Sequence, residues 1–221
     1  MQDRLDKICN KYERLKKEGY DCAIAVHVSS KQSGIYNCAL MAAQQTGFEA
    51  YVIDSRIGSY PMQKMIEHGI KLEKQGLSPQ EIVKEIEDMR DRTQLAIVPA
   101  SLEQLYKSGR VKGVAMLLSN LLNIKLIIAY NKEGFCDVFQ KVRAEKKARK
   151  VLTDMLDDAL KLSTVEEVAI LQANCPERAI EWKLVLESMY PMIRFVITEV
   201  ATVVGLHAGE GTMGLSWIRK K

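Results

Sequence analysis

Three stretches of this chain combine residue types and spacings that could do chemistry. The first is Ser29-Ser30-Lys31-Gln32-Ser33-Gly34, which closes the near-continuous apolar run from Cys22 to Val28. Hydroxyls at the mouth of a strand, beside the backbone N–H groups of a following helix start, can hold an anionic oxygen. A solvated loop with an N-capping serine accounts for the same residues. The second is Gly205-Leu206-His207-Ala208-Gly209-Glu210-Gly211-Thr212-Met213-Gly214. Gly209, Gly211 and Gly214 spell GxGxxG, but only seven residues follow Gly214, too few for the helix and strand of a dinucleotide site. What remains is a glycine-rich loop presenting His207, whose imidazole can donate a hydrogen bond to a carboxylate or phosphate. The third is the basic run Lys141, Arg143, Lys146, Lys147, Arg149 and Lys150, offset only by Glu145, a balance of +5 over ten residues. A solvated helix face is its ordinary explanation, and docking of an acidic partner surface is the functional one.

Other chemistries are disfavoured. There is no Gly-x-Ser-x-Gly, no Walker A sequence and no diagnostic pairing of acidic residues. His27 sits inside a strand run and reads as a satisfied core residue, and His68 reads as a surface position. Three scattered histidines without HExxH, and five cysteines without CxxC, argue against a metal or redox site. An odd number of cysteines within apolar patterns fits reduced thiols and a cytoplasmic protein. The net charge of +4 is too small to imply nucleic acid, and no aromatic residues interleave with the basic run. The first residues lack the apolar run of a signal peptide. Val114 to Tyr130, the most apolar stretch, is interrupted by Ser119, Asn120, Asn123 and Lys125, so no integral membrane segment is expected.

The elements that must position these residues follow from hydrophobic periodicity. Leu5, Ile8, Cys9, Tyr12 and Leu15 mark an amphipathic helix ending at Gly19. A strand from Cys22 to Val28, a helix from Ile35 to about Gln45, a strand from Ala50 to Ile53 and a helix from Pro61 to Lys74 follow. Ser78-Pro79-Gln80-Glu81 spells a capping box with proline at the first helical position. The strand Gln94–Val98 leads to a helix capped by Ser101 and stopped at Gly109. Beyond it the spacing predicts a helix over 113–122, a hairpin of strands 124–130 and 135–142, then helix 144–161, strand 167–172, helix 177–189 and strand 192–199. The composition, 47% hydrophobic and 27% charged, is that of a globular protein and excludes a disordered or collagen-like chain. The expectation is two α/β domains, 1–110 and 111–221. The first is a mostly parallel sheet with helices on both faces, the second a smaller mixed or antiparallel α/β sandwich.

Several of these motifs in this order resemble one family. Ser29-Ser30-Lys31-Gln32-Ser33-Gly34-Ile35-Tyr36, Val52-Ile53-Asp54-Ser55 and Leu102-Glu103-Gln104-Leu105-Tyr106-Lys107-Ser108-Gly109-Arg110-Val111 are similar to signatures of the DegV family of bacterial fatty-acid-binding proteins. Leu122-Asn123-Ile124-Lys125, Lys141-Val142-Arg143 with Lys146-Lys147-Ala148, and Gly205-Leu206-His207-Ala208-Gly209-Glu210-Gly211 extend the resemblance to the C-terminus. It implies a carrier without catalytic residues or cofactor, which holds one long-chain fatty acid between its two domains and presents the carboxylate to a separate fatty acid kinase, for phospholipid metabolism. By family position Ser33 is the main carboxylate-binding hydroxyl, with Ser29, Ser30 and Gly34 as loop supports. His207 with Gly209 supplies the opposing donor, and Arg110 and Arg143 dock the kinase.

The chain departs from the family pattern at Ile35, Ala208 and Glu210, where a threonine, a threonine and a proline are usual, and it starts just after the family's first strand motif. A different class of function is kept in view. Ser33 and His207 could instead be the catalytic pair of an enzyme acting on a small acyl or phosphate-ester substrate, and a shortened relative acting through its basic surface is the third reading.

Overall fold

The structure, a computed structural model, describes residues 2–112 and 124–221. The helix expected over 113–122, and the Leu122-Asn123 part of one motif, lie outside the described residues. In chain order the elements are α1 (Gln2–Lys17), β1 (Cys22–His27), α2 (Ile35–Thr46), β2 (Glu49–Asp54), α3 (Ser59–Lys74), α4 (Pro79–Arg90), β3 (Thr93–Val98), α5 (Leu102–Ser108), β4 (Val111–Lys112), β5 (Lys125–Tyr130), β6 (Cys136–Val142), α6 (Glu145–Leu162), β7 (Glu167–Gln172), α7 (Pro176–Met189), β8 (Arg194–Glu199), α8 (Thr202–Ala208) and β9 (Met213–Ile218). They form two compact units. One comprises Met1–Gly58, Met62–Asp91 and Lys132–Gly134, the other Ser59–Pro61, Arg92–Asn131 and Phe135–Lys221.

In the first unit β1 and β2 pair in parallel, from Cys22 opposite Glu49 to His27 opposite Asp54. The amphipathic stripe of α1 puts Leu5 and Tyr12 into a core with Ala42 of α2 and Phe48, against which Ala23 and Ala50 of the strands pack. Helix α4 starts on the expected capping box: Ser78 Oγ accepts from the Glu81 N–H, the Glu81 carboxylate accepts from the Ser78 N–H at 2.8 Å, and Pro79 takes the first turn.

The second unit is built on a sheet of order β4-β6-β5-β3-β9-β7-β8. Pairing is parallel only at the β4–β6 and β7–β8 positions. Alternation along β5 serves two cores. Ile127 and Ala129 join Leu152, Leu156, Trp182 and Leu186 of α6 and α7, while Leu126 and Ile128 join Leu105 of α5 on the other face. The hairpin expected from Asn131-Lys132-Glu133-Gly134 is present, with β5 and β6 in antiparallel register.

The first sheet is parallel as expected, with two strands. Two features differ from the expectation: the main division falls at Asp91/Arg92 rather than near residue 110, and the second unit is the larger. The reason is β9. It pairs with β3 along its whole length, Thr93 opposite Ile218 through Val98 opposite Met213, and so draws β3 into the larger sheet. The segment read as a terminal glycine-rich loop is a loop only over residues 209–212, between the end of helix α8 and the start of strand β9.

Candidate functional site

The serine loop is held from three directions. Ser29 is fully buried; its Oγ donates to Gly134 O at 2.7 Å and accepts from the Lys31 N–H at 3.2 Å. Its carbonyl accepts from the Gln32 and Ser33 N–H groups, at 2.9 and 3.1 Å, and its own N–H donates to Ile57 O at 2.9 Å. The hydroxyl proton of Ser29 is therefore committed to the protein, and this residue shapes the loop. The carboxylate of Asp54, at the tip of β2, accepts from the Ser30 N–H at 3.1 Å and from the Arg56 N–H at 2.9 Å. Asp54 is a site-building residue to which the sequence reading gave no role. An acidic residue closing a strand beside a hydroxyl loop is the signal that could have found it.

Ser33 is different. It is half-buried, and its Oγ accepts from the Ile35 N–H at 3.3 Å, which leaves the hydroxyl proton without an acceptor among the described residues. Gly34 follows as the N-cap of α2, with φ −76° and no side-chain cap. An added methyl there would meet nothing within 4 Å, so neither backbone nor packing requires glycine. The bare position leaves first-turn N–H groups of a 12-residue helix open beside the Ser33 hydroxyl, a donor array suited to an anion.

His207 occupies the last turn of α8 in the second unit, half-buried, at the end where α8 meets α5. Burial, and secondarily the charge of Arg110, holds its imidazole below the usual histidine range. Arg110 is exposed and folds its guanidinium back to Ser108 O. Gly209 is buried, with φ +91°, and a Cβ there would stand 2.8 Å from Ser101 Cβ and 2.9 Å from Gln104 Oε1. Its role is the close approach of α8 to the start of α5, where the Ser101 N–H donates to Ala208 O at 2.9 Å. Thr212 clamps the same corner, its Oγ1 lying 2.9 Å from Ala208 O and accepting from the Ala100 N–H at 3.1 Å. Glu210 accepts from Asn174 Nδ2 at 2.7 Å.

The basic run is only partly a surface patch. Lys141, Arg143, Lys146, Lys147 and Lys150 are exposed, Lys150 in an ion pair with Asp154 at 2.6 Å. Arg149 is half-buried over the Trp182 ring at 5.4 Å from its centroid, and donates to Glu145 at 2.9 Å. The Glu145–Arg149 spacing was visible in the sequence. The contact with Trp182 depends on tertiary folding and was not.

His27 also departs from its reading. Its Nε2 is buried with no partner among the described residues, and burial lowers its pKa. A histidine depressed in the folded state takes up protons less readily than the unfolded chain, whose value is about 6.5. Its stabilising contribution is complete above that value and is lost as pH falls through it. Urea unfolding at pH 7.5 and pH 5.5 should give the lower midpoint at pH 5.5, with a smaller difference in His27→Leu. An equal difference in both proteins would exclude His27 as the source.

Among the described residues no helix is long and apolar enough to cross a membrane, and no group of His, Cys, Asp or Glu could hold a metal ion.

A two-domain α/β chain with a hydroxyl loop after its first strand and a late histidine on a helix of the second unit defines a class of protein, and the comparisons assign it. The model described as the DegV family of uncharacterised proteins matches residues 2–220. A DegV domain-containing protein of Halalkalibacterium halodurans is 31% identical over 211 residues, spanning 95% of this chain and 74% of the relative. The solved structure of DegV, a fatty acid binding protein from Bacillus subtilis, is 30% identical with a TM-score of 0.85, covering 98% of this chain and 77% of that one. A DegV family protein from Thermus thermophilus, described for its fatty acid binding, is 26% identical with a TM-score of 0.85, covering 98% and 77%. The chain belongs to the DegV family.

Proposed function

We propose that this protein binds a long-chain fatty acid and lends its carboxylate to a separate fatty acid kinase. The observation that carries the reading is the likeness, over 98% of the chain at 30% identity, to the Bacillus subtilis protein described as fatty acid binding. The chemistry of the candidate residues supports it. Burying an alkyl tail stabilises by about 0.8 kcal/mol per methylene, but a carboxylate taken from water without partners is very costly. Ser33 has a hydroxyl proton to donate, the start of α2 has open N–H groups, and His207 stands beside the Arg110 cation. In this reading Ser33 and His207 are the carboxylate donors, and Ser29, Ser30 and Asp54 hold the serine loop in shape. Arg110 and Arg143, both exposed, are the kinase-docking positions. The carrier needs no catalytic residue and no cofactor.

The test is denaturing mass spectrometry of an organic extract from purified protein, beside a Ser33→Ala, His207→Ala double variant whose folding is verified by circular dichroism. A stoichiometric C14 to C18 acid in the parent, reduced at least tenfold in the variant, is the expected result. Undiminished loading of the folded variant would remove these two residues from the head-group site. An empty parent that also fails to take up added fatty acid would end the carrier reading.

A further inference from the structure

The second unit contains a cavity of about 70 Å³ that the fatty-acid reading does not use. Its wall includes Lys125 at the start of β5, Glu145 and Arg149 of α6, Arg178 and Trp182 of α7, and Gly211. Three cations face one carboxylate, so the lining carries a balance of +2. The single anion is shared: Glu145 Oε1 accepts from Arg149 Nη2 at 2.9 Å and from Arg178 Nη2. Arg178 Nη1 is anchored to Gly211 O at 3.2 Å, and Arg149 lies on the Trp182 ring. Both guanidiniums are thus fixed in place while most of their five N–H donors each remain uncommitted. The Lys125 ammonium has no hydrogen bond or ion pair among the described residues. The 18-residue helix α6 also begins here, with Ala144 as an N-cap that supplies no side-chain acceptor, so the helix adds its own partial positive charge.

Size and charge together restrict the occupant. Ligand pockets for drug-sized molecules run to roughly 300–1,000 Å³, whereas this volume matches a few waters or one small ion. Burial works to raise the Glu145 pKa, but hydrogen bonds and charge from Arg178 and Arg149 outweigh it and keep the carboxylate ionised, so the excess positive charge persists at neutral pH. We propose that this cavity is a phosphate site, in which Lys125, Arg149 and Arg178 hold a tetrahedral oxyanion presented either as inorganic phosphate or as the terminal group of a phosphate monoester. Fixed guanidinium forks suit two oxygens of such a group, and the lysine supplies a third charge-assisted donor. A carboxylate has only two oxygens and a single charge, and matches this lining less well.

The proposal stands apart from fatty-acid binding and is tested separately. Isothermal titration calorimetry of the full chain with sodium phosphate at pH 7.5, with sodium chloride at equal ionic strength as the control, should show saturable binding for phosphate alone. Lys125→Gln, which breaks no side-chain hydrogen bond or ion pair among the described residues, should weaken it at least tenfold while leaving co-purified fatty acid unchanged. Methyl phosphate distinguishes the sources: binding at least as tight as that of inorganic phosphate indicates a monoester ligand, and its exclusion indicates the free ion. Absence of saturable phosphate binding, an equal response to chloride, or unaltered affinity in Lys125→Gln would each overturn the proposal.

Discussion

Alanine at Gly214 lowers the unfolding free energy by about 3 kcal/mol, the upper range for an overpacked core site. The cause is close approach rather than turn geometry. Gly214 lies in β9, and a Cβ there would stand 2.4 Å from Ala96 O and 2.7 Å from Ile97 Cγ2 of the neighbouring β3. A backbone carbonyl cannot rotate away as a flexible side chain can. The sheet must part along β3–β9, where hydrogen bonding and core packing coincide. Gly205→Ala is the matched control, because it lies in α8 with nothing within 4 Å of the added methyl. That change should alter stability by less than about 1 kcal/mol, in the stabilising direction. Urea titrations read both, and a Gly214→Ala midpoint within error of the parent would mean that the strands are looser than their register implies.

Alanine at Gly209 is expected to cost about 2 kcal/mol and to reduce fatty-acid loading as well. With φ +91° and ψ 152° the residue occupies a region reserved almost entirely for glycine. Independently, the new methyl would press on Ser101 at the start of α5. Relief requires α8 to shift against α5, and His207 sits two residues before Gly209. The expected pattern is thus a lowered urea midpoint together with less co-purifying acid. Lowered stability with full loading would show that the position of His207 does not depend on this corner.

Local signals made much of the fold legible. The capping box at Ser78, the N-cap at Ser101, the left-handed Gly109 that stops α5 and the Asn131–Gly134 turn are set by residues within four positions of one another, so sequence suffices to find them. The last two elements were missed for physical reasons. Helix α8 has Ala201 at its N-cap, which offers no capping side chain, and it exposes Val203 and Leu206, so neither start signal nor apolar stripe marks it. Strand β9 does show alternation in Met213, Leu215 and Trp217. Gly214 and Ser216 obscure it, and both face close backbone: Ser216 Oγ donates to Gln94 O at 2.8 Å. Missing β9 placed β3 in the wrong domain.

Legibility of the candidate site follows the same division. That hydroxyls gather after β1 could be read from position. That the Ser29 hydroxyl is taken by Gly134, 105 residues away, could not, and neither could the assembly of Glu145, Arg149 and Arg178 from two helices.

The place of β9 in its sheet bears on how the protein is made. Both of its neighbours, β3 and β7, precede it on the chain, and β3 does so by more than a hundred residues. During synthesis the β5–β6 hairpin and the β7–β8 pair can form early, but β3 and β7 wait as open apolar edges until residues 213–218 leave the ribosome. The larger unit therefore closes late, and its nascent form is the stage at which edge-to-edge aggregation competes with folding.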